Sequence, residues 1–144
     1  MILPYEPHQS DTLIQLWLES TISGHPFIAE SYWHESAALV RDTYIPLSTT
    51  WVCMQEDRLV GFISLLDPFL VGALFVASDW TGKGIGSQLL KYVQSYYPVL
   101  SLEVYQKNLR AVHFYHHMGF RIQDAAWRSD TQHPTWIMSW KAER

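Results

Sequence analysis

One cysteine, Cys53, occurs in 144 residues, which excludes an internal disulfide and suits a reducing cytosol. Basic residues are in deficit as well: ten Lys and Arg against fourteen Asp and Glu leave a net charge of −4, so nothing in the balance draws the chain to nucleic acid or to an anionic membrane. No apolar run approaches the roughly 18 residues that a bilayer span needs. No basic start followed by an apolar core precedes the first element, and a cytoplasmic location is the expectation. Repeats, low-complexity tracts and Gly/Ser linkers are missing too, so one domain over 1–144 is expected. What is there is a folded globular composition, 48% hydrophobic and 17% charged, in a chain long enough to bury a core without covalent staples.

Hydrophobic periodicity predicts the elements. Ile2 to Tyr5 reads as a short edge strand. From an N-cap at Ser10 or Asp11, Leu13, Ile14, Trp17 and Leu18 recur at helical spacing. Gly24, His25 and Pro26 interrupt that pattern; a second helix is expected from near Pro26 or Phe27 to about Tyr44, ended by Pro46. The segments WVCMQ and RLVGFISLL, joined by Glu56 and Asp57, predict a β-hairpin. Phe69 to Ala77 is apolar on both faces, the pattern of a strand covered on both sides. A helix with Ile85, Leu89, Leu90 and Val93 inward then closes near Tyr97. Residues 100–105 alternate, Leu100, Leu102 and Val104 on one face and Ser101, Glu103 and Tyr105 on the other. A short helix over Asn108–Met118 ends at Gly119, and two strands follow near FRIQDAAW and PTWIMSW. The order β, α, α, β, β, β, α, β, α, β, β is mixed α/β, with too many consecutive strands for a doubly wound parallel sheet.

Residues 81–90, TGKGIGSQLL, hold Gly82, Gly84 and Gly86 where that third helix begins. Glycine costs roughly 1 kcal/mol against alanine inside a helix, so the cluster needs a reason. One is a tight turn requiring positive φ. The other is an anion site, because a helix N-terminus after a glycine turn presents unpaired N–H groups and the positive end of the helix dipole. Two familiar phosphate motifs fit poorly. A P-loop has a glycine where this chain has Ala77, and a Ser or Thr where Gly84 follows Lys83; a GxGxxG fingerprint fails at Ser87, although Glu103 lies near the distance of a ribose-binding acid.

The glycine turn taken with LEVYQKNLRAVHFYHHMGF at 102–120 resembles the GNAT superfamily of N-acetyltransferases. Their pyrophosphate loop, Gln/Arg-x-x-Gly-x-Gly/Ala, is matched by Thr81 to Gly86 except at its first residue, Thr81. Their second block is matched by Asn108, Ala111, Phe114-Tyr115 and Gly119-Phe120. Within the superfamily, SGHPFI at 23–28, LEVYQKN at 102–108 and PTWIMSW at 134–140 look like the small bacterial peptidyl-lysine acetyltransferases of the YiaC type. The LEV...N..A..FY...GF pattern is also similar to ribosomal-protein N-terminal acetyltransferases.

The resemblance implies a GNAT fold, a mostly antiparallel sheet splayed between the strands at about 72–77 and 100–105, with acetyl-CoA as cosubstrate. It implies that the pantetheine arm pairs with backbone near Phe75 and Val76, where an N–H polarises the thioester carbonyl in the manner of an oxyanion hole. Backbone N–H groups of Gly82, Lys83, Gly84, Ile85, Gly86 and Ser87 are then expected to hold the pyrophosphate, with the Lys83 charge either beside it or in solvent. Asn108 caps its helix and is expected to touch the cofactor. Tyr115 takes the position of the family's general acid. Glu103 is the candidate base, because a lysine ammonium with pKa about 10.4 must lose a proton before attacking; an ion pair or a solvent-facing position is the alternative reading. The expected acceptor is a protein lysine, with N-terminal α-amines, small-molecule amines or a non-catalytic acyl-CoA sensor as alternatives. Monomer and homodimer both stay open.

His25, Phe27, Tyr32 and Trp33 fall between the first helices, where the family shapes its acceptor site; packing under a helical hairpin is the alternative. Trp127 and Trp136 flank the late loop and either line the same pocket or fill the edge of the core. His113, His116 and His117 have a spacing that suits zinc, but no Cys or carboxylate completes a set there, so a solvated helix face and no metal are expected. Cys53 reads as a core residue.

Overall fold

The structure, a computed structural model, describes residues 1–143. In chain order the elements are β1 (Ile2–Pro4), α1 (Ser10–Gly24), α2 (Glu30–Leu39), α3 (Ile45–Leu47), β2 (Thr49–Gln55), β3 (Arg58–Leu66), β4 (Leu70–Val76), α4 (Ile85–Gln94), β5 (Val99–Tyr105), α5 (Leu109–His117), β6 (Arg121–Arg128) and β7 (His133–Lys141). The strands form one seven-stranded sheet in the order β1-β2-β3-β4-β5-β7-β6. Neighbours run antiparallel except β4 and β5, which are parallel and share a single register pair, Leu70 with Ser101. The Ser101 N–H also donates to Phe69 O at 3.0 Å. Past that point no ladder joins the two strands among the described residues, and they diverge as the family pattern predicts.

Each face of the sheet carries a core. On one, α4 buries Ile85, Leu89, Leu90 and Val93 against Val60, Ile63, Leu102 and Phe120. Full burial of each such side chain contributes roughly 1.5–3 kcal/mol relative to leaving it exposed. On the other, Leu13, Leu16 and Trp17 of α1 and Trp33 of α2 pack on Val52 and Phe62. Cys53 is fully buried in β2, and the Glu56-Asp57 hairpin turn has positive φ at both residues, 53° and 63°, the twist of a type I′ turn.

Three expectations change. The doubly covered strand is β3, buried without a break from Leu59 to Leu65, whereas β4 fully buries only Val71; Leu74, Phe75 and Val76 are half-exposed because they border the gap opened by the splay. The second helix begins at Glu30, three to four residues after Pro26 and Phe27, since the chain first turns through an Ile28 N–H bond to His25 O of 3.0 Å. It also runs on past Tyr44: a π turn over Val40–Tyr44 leads into α3, with Pro46 inside it, and the chain leaves at Ser48. In that turn the Ile45 N–H reaches Val40 O, so the bonding pattern is already displaced where the proline lacks a donor. Ser10 is the first residue of α1 rather than its cap, because Glu6 and Gln9 cap a 3-10 turn over Pro7–Gln9 one turn upstream.

Candidate active site

The gap between β4 and β5 opens into a cavity of about 860 Å³. Its floor is Leu74, Phe75 and Val76 of β4; one end is the glycine turn, Gly82 to Ser87 without Lys83; one wall is α5, with Asn108, Arg110, Ala111, Phe114 and Tyr115; the opposite wall is the C-terminal half of α1 together with His25.

Two of the three glycines are explained by their backbone. Gly82 and Gly84 have φ of 78° and 83°, a region that side chains disfavour, and Gly84 is the left-handed N-cap of α4. Gly86 lies within the helix, where an added Cβ would meet Phe114 and Val76 at 3.6–3.7 Å, an ordinary contact. The first main-chain bond of the helix is Gln88 N–H to Gly84 O, 3.0 Å. The N–H groups of Gly84, Ile85, Gly86 and Ser87 therefore have no partner among the described residues, and all four residues line the cavity. That makes a ready anion cradle, set at the positive end of the α4 dipole. The turn is moored from outside: Arg58 pairs through both terminal nitrogens of its guanidinium, Nη1 and Nη2, with Asp79, and Thr81 donates its hydroxyl to Ser78 O at 2.9 Å.

Asn108 caps α5, its side-chain oxygen accepting the Ala111 N–H at 3.3 Å. One helical stretch later Tyr115 lines the cavity and donates no hydrogen bond to a described residue. Burial pushes its phenol well above the ordinary value of 10, so the hydroxyl keeps its proton at neutral pH. This is the state a proton donor needs.

On the α1 and α2 side, side chains from distant segments meet. The His25 ring lies 5.1 Å from Trp33, 5.7 Å from Phe27 and 5.4 Å from Tyr105, and burial lowers its pKa against the opposing effect of a bond to Thr21. Phe27 packs on His133 at 5.0 Å, whose Nε2–H donates to Phe27 O at 3.2 Å. Beside them runs a polar chain. Tyr32 donates its hydroxyl to Asp130 at 2.6 Å, Arg128 donates to Asp130 at 3.0 Å and to Glu103 at 3.3 Å, and Thr135 donates to Glu103 at 2.6 Å. Arg128 and then Tyr32 hold the Asp130 carboxyl well below the usual carboxylate range, while burial and then Asp130 push the Tyr32 phenol up to about 12.

The candidates named from sequence thus divide. Phe75, Val76, Gly82, Gly84, Ile85, Gly86, Ser87, Asn108, Tyr115 and His25 line one cavity. Glu103 lies outside that lining; it shares a strand face with Tyr105 and has both carboxylate oxygens engaged. Lys83 stands over the Trp80 ring at 4.5 Å, off the cavity wall. Phe27, Tyr32 and Trp33 gather around His25, but Trp136 does not: its strand partner is Val104, and it packs into the core on the α4 and α5 face. Trp127 is exposed at the β6 edge. His113, His116 and His117 are exposed on α5.

Sequence reading passed over several lining residues, among them a stripe on α1 and a cation on α5. Glu19, Ser20 and Ser23 of α1 line the cavity next to the core residue Leu16, and their helical spacing was visible as a polar stripe beside the apolar one. Arg110 lines it from the first turn of α5, where a cation opposes the helix dipole; that mismatch was the available signal.

Residues 46–122 match the family model described as an acetyltransferase (GNAT) domain. The chain is 46% identical over 140 residues to the peptidyl-lysine N-acetyltransferase YiaC of Escherichia coli K12, covering 97% of this chain and 96% of that one. The solution structure of apo-form YjaB from Escherichia coli superposes with a TM-score of 0.84 at 29% identity, over 97% of this chain and 96% of that one. An N-acetyltransferase of Thermoplasma acidophilum, solved in complex with coenzyme A, gives a TM-score of 0.85 at 20% identity over 99% and 98% of the two chains, a likeness of fold.

Proposed function

The chain belongs to the GNAT acetyltransferases and is an acetyl-CoA-dependent N-acetyltransferase; on that premise we propose that it acts in the cytoplasm on lysine side chains of proteins, with Tyr115 and Glu103 handling the protons. The lysine acceptor is carried by the 46% identity to a peptidyl-lysine N-acetyltransferase along nearly the whole of both chains.

The residues present fit acetyl-CoA. A cavity of about 860 Å³ opens where two parallel strands part, and four N–H groups without a partner among the described residues converge at one end of it. In our reading Gly84 to Ser87 hold the pyrophosphate, and Gly82 lets the chain turn beneath it. Phe75 and Val76 offer backbone to the pantetheine arm. Arg110 supplies the positive charge on the wall, while Lys83 acts from the rim. Bound acetyl-CoA supplies an acetyl group already activated as a thioester.

The chain's own residues then move two protons. Glu103 takes the one that the acceptor ammonium must lose; because it stands off the cavity wall on the face shared with Tyr105, it does so through water. Tyr115, protonated and without a hydrogen-bond partner among the described residues, returns a proton to the departing sulfur. The aromatic group of His25, Phe27 and Trp33 shapes the approach of the lysine stem.

The test is calorimetry of acetyl-CoA binding together with CoA release against a peptide panel. Binding, plus release with a lysine peptide blocked at its α-amine and none with the Nε-acetylated peptide, is expected. Release only with a free α-amine moves the acceptor to protein N-termini. Binding without release from any amine turns the reading toward a sensor.

A further inference from the structure

One histidine has its tautomer dictated by its surroundings. His25 Nδ1 lies 2.7 Å from the main-chain oxygen of Thr21. A carbonyl oxygen can only accept, so Nδ1 carries the hydrogen and Nε2 is left as a bare acceptor. Nε2 faces the Asn108 side-chain nitrogen at 3.5 Å. The Asn108 amide is oriented independently, because its oxygen is taken by the Ala111 N–H at 3.3 Å. The result is one continuous chain from the Thr21 carbonyl on α1, through His25 and Asn108, to the first turn of α5.

That chain crosses the cleft. His25 and Asn108 belong to opposite walls of the cavity, and a Cβ added at Gly24 would stand 4.0 Å from the Asn108 nitrogen, so the two walls come close here. The imidazole cannot drift, since it is buried to 8% exposure between Trp33, Phe27 and Tyr105. Burial also keeps it neutral, the form in which Nε2 accepts.

We propose that His25 is a positioning residue that latches the acceptor-side loop to the N-terminus of α5, accepting from Asn108 and donating to Thr21, and so fixes the helix that carries Tyr115. His25 touches no reacting atom in this reading. It rests on the assignment of Tyr115 and the cleft to acetyl transfer, but the latch itself is checked without any activity.

The first measurement is long-range ¹H–¹⁵N NMR of the histidine side chains of the wild-type protein near pH 7.5. The expected result is a single His25 tautomer with hydrogen on Nδ1 and a pyridine-like Nε2. Hydrogen on Nε2, or an averaged signal, overturns the latch whatever the enzyme does. The second compares two polar variants. The Gln oxygen of His25→Gln reaches about as far as Nε2 and can still accept from Asn108. His25→Asn reaches only as far as Nδ1 and keeps at most the Thr21 contact. Both variants alter the acceptor side alike, so the latch is read from their difference: we expect His25→Asn to lose about 3- to 10-fold more kcat than His25→Gln, at closely similar Tm. Equal losses in the two variants would reduce His25 to packing and end the proposal. If wild type released no CoA from any acceptor, the transferase reading would fail while the tautomer measurement still decided the latch.

Discussion

At its glycine end the cleft is made of backbone, four N–H groups from four consecutive residues; beside its other end, gathered around His25, is the group we propose for the acceptor, made of side chains from the α1–α2 loop, α2, β5 and the β6–β7 hairpin. A backbone site depends on conformation and tolerates many side chains, so it leaves its mark as glycines. A side-chain site depends on contacts such as Tyr32 with Asp130 or Phe27 with His133, about a hundred positions apart in the chain. The first end can hold a ligand common to a whole family. The second can be changed one contact at a time without disturbing the first.

The largest effect expected is on chemistry, at the wall between the two ends. Tyr115→Phe removes one hydroxyl, which donates to no described residue, from a side chain on the cavity wall, so the fold should be kept and acetyl-CoA affinity should stay within about 2-fold. Loss of a general acid costs on the order of 10²–10⁴ in rate, and stopped-flow turnover set beside calorimetry separates the two quantities. A drop in affinity as large as the drop in kcat would make Tyr115 a binding residue. Glu103→Gln comes next, with an expected fall in kcat of about 10- to 100-fold and unchanged acetyl-CoA affinity. Since Arg128 and Thr135 already bond the carboxylate, wild-type turnover in this variant would make Glu103 a structural partner of Arg128.

The unequal legibility of the two ends follows from the same difference. The glycine turn, the inward set Ile85, Leu89, Leu90 and Val93, and the Asn108 and Gly119 ends of α5 are local patterns, and each lies where the periodicity places it. The doubly covered strand was misassigned because apolar content alone cannot tell a strand facing a core from one facing a cleft: β3 and β4 read alike, yet only β3 is buried throughout. Trp136 was grouped with the acceptor residues because it adjoins the late loop. Strand parity sends it the other way, since residues opposite each other on paired strands share a face and its partner is the inward Val104. An ion pair is the alternative that the sequence offers for Glu103, and the structure contains one; that its partner is Arg128 was not legible, as it depends on the register of β6 and β7.

Gly84→Ala presses on the backbone end alone. Its φ of 83° lies where a side chain costs roughly 1–2 kcal/mol, and relief of that strain would swing the N–H groups off the pyrophosphate. Acetyl-CoA affinity should fall about 10-fold while KM for the acceptor peptide holds. An acceptor KM that moved equally would deny that the two ends are separable.

His25 gives the acceptor end a pH signature. Its folded pKa lies below the ordinary 6.5 because of burial, so the unfolded chain takes up a proton that the folded chain resists. The stability this contributes is present above about pH 6.5 and lost as pH falls toward the folded value. Thr21, Phe27, Trp33, Tyr105 and Asn108 face the ring; of these only Tyr105 titrates, and burial raises it further from this range. Tm should therefore decline more steeply below pH 6.5 in wild type than in His25→Gln, and parallel curves would show that the imidazole is not the group responsible.

Trp136→Phe should do least. The indole is half-buried on the α4 and α5 face, across the sheet from His25, Phe27 and Glu103. Losing part of a large ring in a partly exposed position costs about 1 kcal/mol of stability, while acceptor KM and kcat should stay within about 2-fold. A change in acceptor preference with stability intact would bring Trp136 back to the acceptor end by some route other than direct contact, and the boundary between a backbone end and a side-chain end would then have to be redrawn through the sheet itself.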